Sequence, residues 1–134
     1  MATAAWPVQV AMRAKLLSDP QLLEVVSGVF DYVDGTATFP YLTVGQATEV
    51  PDDAHDAQGL AVTVTIHVWS KYKGFAEALA ILGHVDRLLD RQPLAVAGFT
   101  DVSVAREFHE TLRDPDPQIR HIPVRFRIWL TKEN

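Results

Sequence analysis

Hydrophobic positions recur at two different spacings along this chain, and the switches between them mark out its elements. Ala5, Val8, Met12 and Leu16 fall on one helical face, with Arg13 and Lys15 off that line. The spacing predicts a helix over residues 3–19, with Thr3 as N-cap and Pro7 in the first turn, where a missing N–H matters little. Asp19-Pro20 breaks it. A short helical turn over 21–27 would then stop at Gly28 as a left-handed cap. The stretch 29–40 reads as a transition, with Asp34-Gly35 as a turn signal.

From Tyr41 the period changes to two. Tyr41–Val50 reads as a first strand and Pro51–Gly59 as a polar, acidic loop. In the second strand, Leu60–Ser70, Leu60, Val62, Val64, Ile66 and Val68 point one way, while Ala61, Thr63, Thr65, His67 and Trp69 point the other. A second main helix over Phe75–Asp90 carries the apolar stripe Phe75, Leu79, Leu82, Val85 and Leu89. Phe99–His109 reads as the third strand and Arg113–Pro117 as a turn. The fourth strand, Gln118–Thr131, turns Ile122, Val124, Phe126, Ile128 and Leu130 inward and His121, Arg125, Arg127 and Trp129 outward.

The order helix-strand-strand-helix-strand-strand implies an α+β fold of two layers. A four-stranded, mainly antiparallel sheet would carry the two main helices on one face. Pairing strand one with two and three with four, with a single right-handed crossover, gives the spatial order 1-2-4-3. Pro123 weighs against a central fourth strand unless a bulge accommodates it, because proline cannot donate to a ladder.

Length and charge narrow the classes. At 134 residues the chain fits one domain spanning 1–134 and is large enough to fold without staples. It has no cysteine, which excludes disulfides, thiol nucleophiles and cysteine-based zinc sites. Its net charge of −5 argues against a dedicated nucleic-acid binder, which shows a basic excess. No signal-peptide pattern is visible at Met1–Pro7, and no apolar run approaches the ~20 residues that cross a bilayer. The expected location is the cytoplasm or a particle assembled there, with no membrane partner.

Motifs for catalysis are missing. The five histidines form neither H-E-x-x-H nor a helical pair, although His67 and His121 would share the outer sheet face if strands two and four pair. The loop with Asp52, Asp53, His55 and Asp56 offers hard oxygen ligands without an EF-hand register. It reads as a solvated loop, or as one that orders against a neighbouring subunit. No nucleophile elbow surrounds Ser18, Ser27, Ser70 or Ser103, and no glycine-rich phosphate loop occurs. The expectation is a non-enzyme without cofactor or metal. The surplus lies on the outer sheet face, where His67, Trp69, Arg125, Arg127 and Trp129 project from strands already apolar on their inner side. Tryptophan and arginine are enriched at interface hot spots. Asp52, Asp53, Asp56, His67, Trp69, Arg125, Arg127 and Trp129 are therefore the candidate subunit-interface residues. The other reading packs the tryptophans under a loop or the first helix. Glu107 should share this face and can pair with Arg125.

Taken in order, four segments resemble the tail-completion proteins of long-tailed bacteriophages, the tail-terminator and head–tail joining group. They are the helix leading into Ser18-Asp19-Pro20-Gln21-Leu22, the segment Phe39-Pro40-Tyr41-Leu42-Thr43-Val44, the strand Val64–Ser70 followed by an alanine- and leucine-rich helix, and the ending Arg125-Phe126-Arg127-Ile128-Trp129. The resemblance implies an α+β structural protein working as a ring, usually of six copies. Such a ring sits at the head-proximal end of the tail tube, stops tube growth and joins tail to head. Its implied partners are other copies of itself, the tail-tube protein and the head-connector or stopper protein, with DNA only as transiting cargo. The implied location is the virion or a phage-like particle. Arginine outnumbers lysine eight to four, which fits a GC-rich bacterial source and either a phage or a gene transfer agent. A head-side stopper or adaptor of the same joint is the alternative role. A small metal- or ligand-binding module is the third.

Overall fold

The structure is a computed structural model and describes residues 3–31, 33, 35–53 and 57–133. Its elements follow in the order α1 (Ala5–Leu17), α2 (Pro20–Val25), β1 (Val29–Phe30), β2 (Tyr41–Pro51), β3 (Gly59–Ser70), α3 (Ala76–Leu89), β4 (Phe99–His109), β5 (Leu112–Arg113) and β6 (Arg120–Lys132). One open sheet has the order β1-β2-β3-β6-β4, with β5 pairing β6 beyond the end of β4. The four long strands thus stand in the expected 1-2-4-3 order, every long neighbour antiparallel. Two two-residue strands are added: β1, parallel to β2, and β5, which takes Arg113 out of the expected turn.

The β3–β6 pair is the spine. Its register runs unbroken from Gly59↔Thr131 to Ser70↔Arg120. It passes straight through His67↔Pro123, so no bulge breaks this ladder at the proline, contrary to expectation. The reason lies on the other side of β6. An antiparallel residue turns its N–H and C=O toward the same neighbour. The Pro123 carbonyl accepts from Glu110 N at 3.3 Å, where β4 has just ended, so the missing donor faces the gap between β4 and β5. The irregularities fall on β4 instead, at Thr100/Ser103 and Arg106/Phe108.

Alternation on these strands builds the core. Val62, Val64, Ile66 and Val68 of β3 and Ile122, Val124, Phe126 and Ile128 of β6 are completely buried. Both main helices cover this one face, α1 over β2 and β3, α3 over β3, β6 and β4. Val8, Met12 and Leu16 come down from α1 as the spacing predicts. On α3 the buried set is Ala78, Ile81, Leu82, Val85, Leu88 and Leu89, while Leu79, expected in the stripe, is exposed. The helix meets the sheet on one side and α1 and α2 on another, so its buried arc is wider than a single stripe and is turned away from Leu79.

Helix ends also differ from expectation. Thr3 does not cap α1; the N-cap is Ala4, which has no side chain able to accept a hydrogen bond. Glu49 of β2 serves instead, its Oε1 accepting from Ala4 N at 2.8 Å and Ala5 N at 3.0 Å. A bulge between Val44 and Ala47 makes this possible. Val44 faces the helices, and unbroken alternation would send Gln46, Thr48 and Val50 after it. The extra residue shifts the phase, so Ala47 and Glu49 face α1 and Val50 faces away. Asp19 caps α2 by accepting from Leu22 N at 2.9 Å, and Arg87 of α3 holds it at 2.7 Å. The Arg87 hydrogen bond sets its carboxyl below the ordinary carboxylate range, against an opposing effect of burial. Gly28 is not the left-handed cap, since α2 ends in extended backbone at Val26. Glycine leaves room there for the tip of the Phe30 ring, which lies 2.6 Å from where a Cβ would stand and would have to move aside for one. Asp34 of the expected turn lies outside the described residues.

Replacing Glu49 with alanine removes the only side-chain acceptor at the start of α1 among the described residues. We expect a loss of about 1 kcal/mol, within the ~0.5–2 kcal/mol span of capping substitutions, with Glu49→Gln losing less. Urea unfolding checks this: the midpoint falls while the slope stays constant.

Candidate interface on the bare sheet face

With both main helices on one side, the other face of the sheet has no layer above it among the described residues. Alternation from the buried rows of β3 and β6 places Thr63, Thr65, His67, Trp69, His121, Arg125, Arg127 and Trp129 there. All five sequence candidates on these strands therefore share one face, as expected. They do not form one cluster. Trp69 pairs with His121 and Trp129 with Ala61, so eight residues of β6, about 27 Å of strand, separate the two rows.

At one end sits an aromatic stack. Trp69 lies flat on His121, with ring centroids 3.9 Å apart and planes 5° apart, and His67 stacks on His121 at 4.8 Å. Tyr41 and Phe39 extend the row from β2 and its lead-in. Trp69 Nε1 donates to Thr43 Oγ1 at 3.0 Å. His67 Nδ1 and His121 Nε2 meet at 2.6 Å, which requires one ring to donate and the other to accept. Gly45 makes room for this pair, because a Cβ there would stand 2.5 Å from His67 Nε2. Neither tryptophan is fully buried, and no helix covers them, so the reading that tucks them under α1 does not hold.

Burial explains the titration of this stack. Desolvation pushes the His121 imidazole down to about 4; a charge on His67 would push it further, and the Asp114 carboxylate opposes both. Burial also lowers His67. The Tyr41 phenol is pushed up by burial and then by Asp114.

The middle of the face is charged. Glu107, left over at the β4 bulge, takes Arg125 Nε at 2.6 Å and Arg127 Nη2 at 2.7 Å, so the expected Glu107–Arg125 pair is present and doubled. The Arg125 guanidinium lies over the Phe108 ring, 4.4 Å from its centroid. Both arginines remain close to half exposed, and such pairs are worth ~0–1 kcal/mol, so they position the guanidinia more than they hold the fold. Trp129 sits at the far end, toward the β2–β3 connection. There Asp53 Oδ1 accepts from Gly59 N at 3.2 Å and Asp52 N donates to Gly59 O at 2.9 Å, tying both acids to the hairpin. His55 and Asp56 lie outside the described residues.

Little of this arrangement is catalytic. Three of the four serines named from sequence are engaged in local hydrogen bonds. Ser18 Oγ donates to Lys15 O, Ser27 Oγ to Thr38 O, and buried Ser70 Oγ to Glu77 Oε1 at 2.7 Å while accepting from Tyr72 N. Among the described residues no three His, Asp or Glu side chains converge as a metal site. Sequence reasoning missed the Tyr41, Phe39 and Thr43 contributions; a clue to the crowding was Gly45, where a Cβ would meet the His67 ring.

The histidine stack predicts an acid response. The folded stack favours neutral rings, whereas an unfolded histidine protonates near 6.5. Its stabilisation is full above pH 6.5 and is lost as pH falls toward about 4. Urea unfolding at pH 7 and at pH 4.5 should show a larger drop for the native chain than for His121→Phe; equal drops would contradict it.

Comparison with known proteins places the chain. Residues 10–131 match the family described as tail completion protein gp17. Tail completion protein gp17 of Bacillus phage SPP1 is 30% identical over 127 residues, covering 93% of this chain and 94% of that protein. In fold, the chain is similar to one in the virion of a native gene transfer agent particle, with a TM-score of 0.88 at 22% identity, covering 98% of this chain and 99% of that one. The structure of bacteriophage SPP1 gp17 gives a TM-score of 0.60 at 24% identity, over 94% and 88% of the two chains. This chain belongs to the tail completion protein gp17 family, structural components of the virion tail rather than enzymes.

Proposed function

We propose that copies of this chain, as a single working domain, close into a ring at the head-proximal end of a tail tube. The ring ends tube growth and joins tail to head, with DNA passing through its lumen. The observation that carries this reading is the near end-to-end likeness to a chain of an assembled gene transfer agent virion, joined to family membership over most of the sequence. A phage-like particle of that kind is the proposed setting.

The geometry supports the reading in a second way. A ring subunit must touch neighbours on surfaces its own core leaves uncovered. The bare sheet face supplies one: Arg125 and Arg127 held side by side by Glu107, with Trp129 beyond them. His67 and Trp69 enter through the rim of their stack, and Asp52 and Asp53 through the hairpin at the Trp129 end. The acidic balance of the chain keeps such a surface from holding DNA by its phosphates.

Particles assembled without this chain test the role. The expected products are separate heads and tails, with tubes of irregular or excess length; normally joined particles would overturn it. Binding of the purified chain to head-side proteins and not to tail tube would assign it to the head-side adaptor role instead.

A further inference from the structure

A closed ring needs two unlike patches on opposite flanks of each subunit, one fitting the other. The structure carries such a pair at the β1–β2 and β4 ends of the sheet. On the first flank α1 turns Trp6 and Val10 outward, 60% and 48% exposed, one helical turn apart. These are the two large apolar side chains exposed on a helix whose other face, Val8, Met12 and Leu16, is wholly buried. They stand at a shallow hollow with Asp31 and Val44 on its wall. Among the described residues nothing buries this stripe.

On the opposite flank the connection after α3 runs beside β4 and leaves an open hollow of about 440 Å³. Pro93, Val102, Ala105 and Trp129 wall it, and Arg91 stands on its rim. Its lining is mostly small and apolar, the surroundings a protruding indole can fill. Trp129 makes the hollow continuous with the bare sheet face. Asp31 and Arg13 both line the first hollow and Arg91 rims the second, so Asp31 is the acid that Arg91 can meet across the joint.

We infer that Trp6 and Val10 of one copy dock into the hollow between residues 91–93 and β4 of the next copy, closing the ring head to tail. The inference rests on the ring reading above and names the surfaces that make it. Tryptophan anchors seated in a pocket dominate interface energies, so most of the contact should hang on Trp6.

The cysteine-free chain permits a clean test. Single variants Val10→Cys and Ser103→Cys, mixed under mild oxidation in solution and on tail tubes, should form the mixed 10–103 disulfide in preference to either homodimer. The double variant should give a covalent ladder that ends at one fixed number of copies. Trp6→Ala should raise the concentration for half-assembly at least tenfold, while Tyr72→Ala, an exposed aromatic off both flanks, should not change it. If rings form but the 10–103 bond does not, or if Trp6→Ala assembles like the native chain, the docking inference is wrong and the ring stands. If the native chain stays a monomer both alone and on tail tubes, the ring reading fails and the docking inference with it.

Discussion

Twelve consecutive pairs between β3 and β6 decide nearly everything else about this molecule. Once Ile66 faces Val124 on one side, alternation assigns every residue of both strands to a face. One face becomes a dry layer of valine, isoleucine and phenylalanine that only helices can cover. The other collects the histidines, arginines and tryptophans without any element having to be placed there. A slip of one residue in that register would bury Arg125 and Arg127 and expose Phe126, so the charged outer face and the core are specified together.

The remaining pieces adjust this frame locally. Two irregularities on flanking strands re-aim single carboxylates. The bulge in β2 turns Glu49 under α1, where it holds the first N–H groups of the helix. The bulge in β4 turns Glu107 outward, where it holds two guanidinia. In both cases one extra residue changes which face an acid occupies without disturbing the hydrophobic rows beside it.

How far the sequence reveals this depends on which forces act. The long strands, their order and the outward row on β3 and β6 follow from period-two patterning, because burial on one face leaves no other register. The Glu107–Arg125 pair follows from the same alternation. The shared face of Trp69 and Trp129 was legible, but their separation was not, since distance along a sheet depends on pair register rather than on facing. Glu49 as a cap was hidden by 45 positions of separation from Ala4, and Thr3 is the better local candidate. Pro123 suggested a bulge because the sequence does not say where the neighbouring strand ends. Leu79 fell outside the core because α1 and α2, as well as the sheet, pack against α3.

The edges of the sheet carry a consequence of their own. β4 has its backbone claimed in the middle, with Arg91 N bonded to Val104 O and Arg106 N to the Asp90 carboxylate, and its two bulges spoil a straight ladder. On the other side β1 caps the first part of β2, and the bulge bends the rest. Neither margin presents a long flat row of donors and acceptors to a passing strand. Backbone zippering, which has no natural end, is thereby discouraged, and side chains are left to decide what this subunit joins. A reservoir of unassembled copies can then stand in a crowded cell without seeding fibres, waiting for a finite structure to receive them.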